Sequence, residues 1–135
     1  PYGVYERPFN LPYLAASCGA VYVARWTAYH VRQLAKSMKE ALHKKGFTFI
    51  EIISPCPTLY ERRNRLGDGL TRMRFYKDNS VIDHEADLRS LDLGFEGKIV
   101  CGRFVNIERP SLIEAMDTRL SDKLGPKYQP IGNGT

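Results

Sequence analysis

Metal-binding spacing is missing from this chain. Its three cysteines, Cys18, Cys56 and Cys101, stand 38 and 45 residues apart. No CxxC or CxxH pair occurs, which argues against a self-contained zinc or cluster site. An odd, widely spaced set also argues against a disulfide scaffold and points to a reducing compartment, the cytoplasm. No stretch approaches the roughly 20 consecutive apolar residues of a membrane span, and no basic segment followed by an apolar one reads as a secretory signal. A dinucleotide glycine fingerprint and a P-loop are both absent, and Ser54 lacks the setting of a nucleophile elbow. His30, His43 and His84 have no ligand-like spacing; the first two fall on or near the polar side of a helix, so solvated rings are expected. The opening Pro1-Tyr2-Gly3 has no initiator methionine, so the expectation is a processed or partial product whose upstream neighbour is missing.

What is present reads as an α/β domain. Asn10 is a good helix N-cap, and residues 11–18 make a short helix with proline early and Gly19 at its end. Residues 20–25 are nearly all apolar, as a strand buried on both faces must be. Thr27 is positioned to cap the next helix, in which Val31, Leu34, Ala35, Met38, Ala41 and Leu42 recur at steps of three and four. Gly46 closes that helix, and residues 47–53 form the next strand. A strand–helix–strand unit of this length forces a parallel crossover. Further on the pattern weakens. A helix is expected over 69–77, an acidic loop over 79–97, a strand over 98–106, and an amphipathic helix from Pro110 with Leu112, Ile113, Met116 and Leu120 on its apolar side. The tail from Gly125 reads as an extended arm, and its Asn133-Gly134-Thr135 as a chance sequon. Two clear strands and one weaker one make a thin sheet for a free-standing domain.

The chemistry concentrates at the end of the second strand, in Ser54-Pro55-Cys56-Pro57-Thr58. Two prolines fix the backbone there and restrict the residues before them, so Cys56 is presented in a set direction. Open α/β sheets bind their ligands at that carboxyl edge. The competing reading is a proline turn whose cysteine is a small buried hydrophobe. Arg62, Arg63, Arg65, Arg72, Arg74 and Lys77 crowd the next segment, and Asp83, Glu85, Asp87, Asp92 and Glu96 follow it. A net charge of +5 distributed this way admits an anionic partner or a solvated face. Gly67-Asp68-Gly69 looks like the metal motif of thiamine-diphosphate enzymes. However, it follows a run of arginines rather than an apolar strand, and Gly94 to Gly97 occupies the place of the motif's asparagine. It reads instead as a turn before a helix.

Several segments resemble a known family. They are Gly19-Ala20-Val21-Tyr22-Val23-Ala24-Arg25, then His43-Lys44-Lys45-Gly46-Phe47-Thr48-Phe49-Ile50-Glu51, and above all Ser54-Pro55-Cys56-Pro57-Thr58 with Arg62-Arg63-Asn64. Together these are similar to the C-terminal half of the β subunit of 2-oxoacid:ferredoxin oxidoreductases, closest to the 2-oxoglutarate type. Gly102-Arg103-Phe104-Val105 and Arg109-Pro110 resemble that subunit's C-terminal extension. The resemblance covers roughly residues 1–115. It implies a partial thiamine-diphosphate-binding fold over residues 1–58 and the extension over 59–135.

The resemblance also implies thiamine diphosphate, magnesium and a [4Fe–4S] cluster in the intact subunit, with Cys56 as the cluster's fourth ligand. The other three cysteines and most cofactor contacts lie in an N-terminal half this chain lacks. It further implies an α subunit, ferredoxin, coenzyme A and a 2-oxoacid as partners and substrates, and no activity for this chain alone. Cys18 and Cys101 are expected in the core. The alternative is a basic module, centred on residues 62–77, that binds nucleic acid or protein without catalysis; the acidic run and the lack of a binding motif weigh against nucleic acid.

Overall fold

In a computed structural model, residues 6–94 and 97–130 are described; Pro1, Gly3, Glu96 and Asn133-Gly134-Thr135 lie outside them. The helices are α1 (Leu11–Ser17), α2 (Val31–Leu42), α3 (Arg62–Asn64), α4 (Gly69–Asn79) and α5 (Leu112–Leu124), and the strands are β1 (Tyr22–Thr27), β2 (Thr48–Ile53), β3 (Ser80–Ile82) and β4 (Ile99–Asn106). The strands form one sheet in the order β2-β1-β4-β3. β1 and β2 run parallel from Tyr22 opposite Thr48 to Thr27 opposite Ile53, as the crossover requires. β4 is antiparallel to β1, with a bulge between Val23 and Ala24, and parallel to β3. The strand expected at 98–106 is thus the partner on the other side of β1. The loop expected over 79–97 instead contains β3 and a 3₁₀ turn at Leu88–Ser90. Three residues are too short to show a period in sequence, and β3 gains its place only by pairing with β4.

Every residue of β1 is buried, which explains its apolar run. One face carries Tyr22, Ala24, Trp26 and Cys101, covered by Leu34 and Ala41 of α2. The other carries Val23 with Ala15 and Ala16 of α1. At Gly102 the strand passes so close to the 83–84 segment that a Cβ would lie 2.6 Å from the carbonyl oxygen of Asp83, so only glycine fits there.

α2 is turned differently from its expected face. The sheet takes Leu34, Ser37 and Ala41, while Val31 is 64% and Leu42 85% exposed, and Met38 is exposed with them. Ser37 replaces an apolar contact with a hydrogen bond, accepting the Trp26 Nε1–H at 2.8 Å. The exposed stripe forgoes most of the about 1.5–3 kcal/mol that each large side chain gains on full burial. Thr27 does not cap this helix. It ends β1, buried, with its hydroxyl 2.9 Å from His30 Nδ1, and His30 stands at the N-cap.

α5 starts at Ser111, not Pro110. Ser111 and Glu114 form a reciprocal capping box. The apolar side expected to face inward is exposed, Leu112 at 75%, and no residue of the helix is buried. Ion pairs of Lys45 with Glu114 and of Lys44 with Glu108 tie this region to the end of α2 instead. The expected extended arm begins with a 3₁₀ turn at Gly125–Lys127, and the Tyr128 hydroxyl donates to Asp117.

Candidate functional site

Cys56 stands three residues past the carboxyl end of β2, exposed, as the N-cap of a wide turn of helix over Pro57–Glu61. In that turn the Glu61 N–H reaches back five residues to the Cys56 carbonyl at 3.1 Å. Such i→i+5 turns are rare and cluster at functional sites. The Tyr60 and Leu59 backbone, and then the Thr58 side chain, hold the Cys56 thiol below its ordinary range, against desolvation and, less, the Glu61 charge. A solvent-accessible thiol with a lowered pKa, next to a proline-fixed backbone, is chemically suited to a soft metal. Among the described residues no group of three His, Cys, Asp or Glu side chains lies close enough to hold a metal ion.

The other two cysteines divide. Cys101 is fully buried in β4, and burial pushes its thiol up, as a core cysteine's should be. Cys18, expected in the core, is exposed at the C-cap of α1. A seven-residue helix that buries only Pro12 and Ala15 leaves its last turn in water.

The turn is anchored to the body of the protein by charge. Glu61, 2% exposed, accepts the Arg72 Nε–H at 3.0 Å. The Arg72 guanidinium in turn sits 4.3 Å from the centre of the Phe75 ring. α3 then ends in Arg65, which adopts φ +55°, the left-handed conformation of a helix stop. Asp68 caps α4, accepting the Thr71 N–H at 2.8 Å, so Gly67-Asp68-Gly69 is the turn before a helix that its context predicted. The basic segment is consequently not uniformly exposed. Arg62, Arg63, Arg65, Arg74 and Lys77 are exposed, whereas Arg72 is half-buried in its pair with Glu61.

A second ion pair lies under the same edge of the sheet. Arg25 of β1 is 1% exposed and meets Glu51 of β2 at 2.5 Å, its register partner. Nη2 of Arg25 has no hydrogen-bond partner among the described residues. Sequence reasoning missed this pair, though each apolar strand run is interrupted by one charge of opposite sign.

The histidines also differ from expectation. His30 is buried against Trp26 and Tyr29, and burial lowers its pKa. His84, although exposed, accepts the Arg103 N–H at Nδ1 and presents its ring to Trp26. His43 is exposed as expected. The ring of His84 also borders a cavity of about 150 Å³ lined by Trp26, Gln33, Ser37, Glu40 and Arg103. It does not touch Cys56. Lys36 lines it too, and Glu40 serves both cations, accepting from Arg103 Nη1 at 3.1 Å and from Tyr22 Oη at 2.9 Å with Lys36 Nζ 3.9 Å away.

No protein-family model matches the chain. Over most of its length the chain is nevertheless homologous to part of the β subunits of 2-oxoacid:ferredoxin oxidoreductases and 2-oxoglutarate synthases. Its relatives include KorB subunits of 2-oxoglutarate synthases and β subunits of 2-oxoacid:ferredoxin oxidoreductases. It is 45% identical over 125 residues to subunit KorB of the 2-oxoglutarate synthase of Methanothermobacter thermautotrophicus, covering 93% of this chain and 43% of the relative. With the corresponding subunit of Methanocaldococcus jannaschii it shares 42% identity over 125 residues, 92% of this chain and 45% of the relative. Its fold matches that of a 2-oxoglutarate:ferredoxin oxidoreductase from Magnetococcus marinus, solved with 2-oxoglutarate, coenzyme A and succinyl-CoA bound. That match has a TM-score of 0.65 and 27% identity over 96% of this chain and 44% of that one. The chain thus spans less than half the length of the relatives it matches.

Proposed function

We propose that this chain is the C-terminal part of the β subunit of a 2-oxoglutarate:ferredoxin oxidoreductase, and that Cys56 supplies one thiolate to its [4Fe–4S] cluster. The observation that carries this reading is the exposed Cys56 thiol just past the end of β2, at the N-cap of the wide turn over Pro57–Glu61. Iron–sulfur clusters are held by such cysteine thiolates. The cluster, when bound, relays single electrons. What this chain supplies is one sulfur.

In this reading residues 1–58 belong to the thiamine-diphosphate-binding fold. Residues 59–135 are the extension, which sends β4 back beside β1. Thiamine diphosphate, magnesium, coenzyme A and the 2-oxoacid are held largely by residues outside this chain. The exposed stripe of α2 and the uncovered side of α5 are where the rest of the enzyme, including the α subunit, packs. The exposed arginines of 62–74 face ferredoxin, because a basic patch steers an acidic partner. Three free cysteines fit a reducing cytoplasm. The whole complex carries out oxidative decarboxylation to acyl-CoA; this chain alone does not.

Native mass spectrometry of the purified protein, with iron and sulfide analysis, tests the reading. We expect the chain in the company of further polypeptide bearing the remaining cysteines, with iron and sulfide bound. A lone, iron-free 15.4 kDa species from its native source contradicts it.

A further inference from the structure

On the α2 side of the sheet, two cations converge on one carboxylate. Arg103 of β4 reaches Glu40 Oε2 through Nη1 at 3.1 Å, and Lys36, one helical turn before Glu40, holds its ammonium 3.9 Å from Oε1. The second distance is beyond hydrogen-bond reach. The Tyr22 hydroxyl also donates to Oε2, at 2.9 Å, so the carboxylate is already engaged. Arg103, Lys36 and Glu40 line the cavity of about 150 Å³, with Trp26 as one wall. His84 lines the same space. Because its Nδ1 accepts the Arg103 N–H, the neutral ring carries its proton on Nε2, a donor.

Donors exceed acceptors in this cavity. A guanidinium carries five N–H groups and an ammonium three, against the one carboxylate in the lining, that of Glu40. Two cations and one anion leave the lining with a surplus of positive charge. The frame is also fixed in place. Trp26, 3% exposed, donates to Ser37, Arg103 is set in β4 opposite Ala24, and Glu40 is held by Tyr22. A preformed site loses little to ordering when a ligand enters. Its volume falls below the about 300–1,000 Å³ of pockets for drug-sized molecules, so its ligand is small.

We propose that this cavity binds a small oxyanion, a phosphate or a carboxylate, between the Arg103 and Lys36 cations, with the His84 Nε2–H as a further donor. The planar guanidinium suits two-pronged contact with either oxyanion, and the ammonium adds a point charge. Glu40 has the opposite role, since it competes with the ligand for both cations. The site is separate from Cys56 and does not depend on a cluster there.

The test measures binding of inorganic phosphate, and separately of acetate, to the assembled enzyme by equilibrium dialysis, in the wild type and in Arg103→Gln, Lys36→Gln and Glu40→Gln. The expected result is saturable binding that Arg103→Gln weakens by a factor on the order of ten. Lys36→Gln should weaken it less, because that side chain is 79% exposed and solvent screens its charge. Glu40→Gln keeps an acceptor for Tyr22 but frees the cations, so it should tighten binding. That opposite sign separates the site from damage to the fold, which weakens all three variants alike. The exposed Lys36 keeps the comparison available if the Arg103 variant does not assemble. Tighter phosphate than acetate identifies a phosphoryl ligand and the reverse a carboxylate; either supports the site. No saturable binding of either anion, or binding that all three variants leave unchanged, overturns it. So does weaker binding in Glu40→Gln with the assembly intact.

Discussion

At the scale of single residues, the informative side chains are those whose surroundings contradict their type. Arg25 is a charge in the most buried strand, and among the described residues Glu51 balances it. Arg25→Ala leaves that carboxylate buried without its partner, so we expect a loss of about 3–5 kcal/mol in urea unfolding of the protein. Replacing both members together should cost less than the sum of the two single changes, because neither charge is then stranded. The residue scale is also where sequence was most and least legible. The direction in which Cys56 is presented could be read from its two prolines, since those act locally. The burial of His30, Glu61 and Arg72 could not, because each depends on a partner three to eleven positions away whose approach only the tertiary fold decides.

At the scale of elements, β1, α2 and β2 were readable because their hydrophobic periods are long and bounded by glycine. Which stripe of α2 meets the sheet was not. Its apolar residues cover more of the helix than β1 and β4 can bury, and period alone cannot rank two adjacent stripes. α5 shows the opposite case: its capping box at Ser111 and Glu114 is a local signal plainly present in sequence. That helix is held by surface charge and should respond to acid. Lys45, and next the Ser111 N–H, hold the Glu114 carboxyl down at about 2, from an ordinary 4.5. A depressed carboxyl contributes its stability in full above the unfolded value and loses it as pH falls through the folded one. Between pH 4.5 and about 2 the wild type should therefore lose more stability than Glu114→Gln. Acid titration of both proteins, followed by circular dichroism, measures the difference, and parallel curves would mean that solvent screens the pair completely.

At the scale of the whole molecule, the chain has the surface of a piece. Val31, Met38 and Leu42 on α2, and Leu112, Ile113 and Met116 on α5, are exposed together, while its relatives continue for more than its own length again. The thin sheet expected from sequence gained one strand, β3, but β2 and β3 remain at its two edges. The described residues show an exposed thiol past β2 and, in the turn that follows it, the buried Glu61 paired with Arg72. The most direct test of the account is the iron content of the assembled enzyme carrying Cys56→Ser, set beside Cys101→Ser. The account predicts that the first loses iron and the cluster's visible absorption while the second keeps both; equal iron in the two would contradict it.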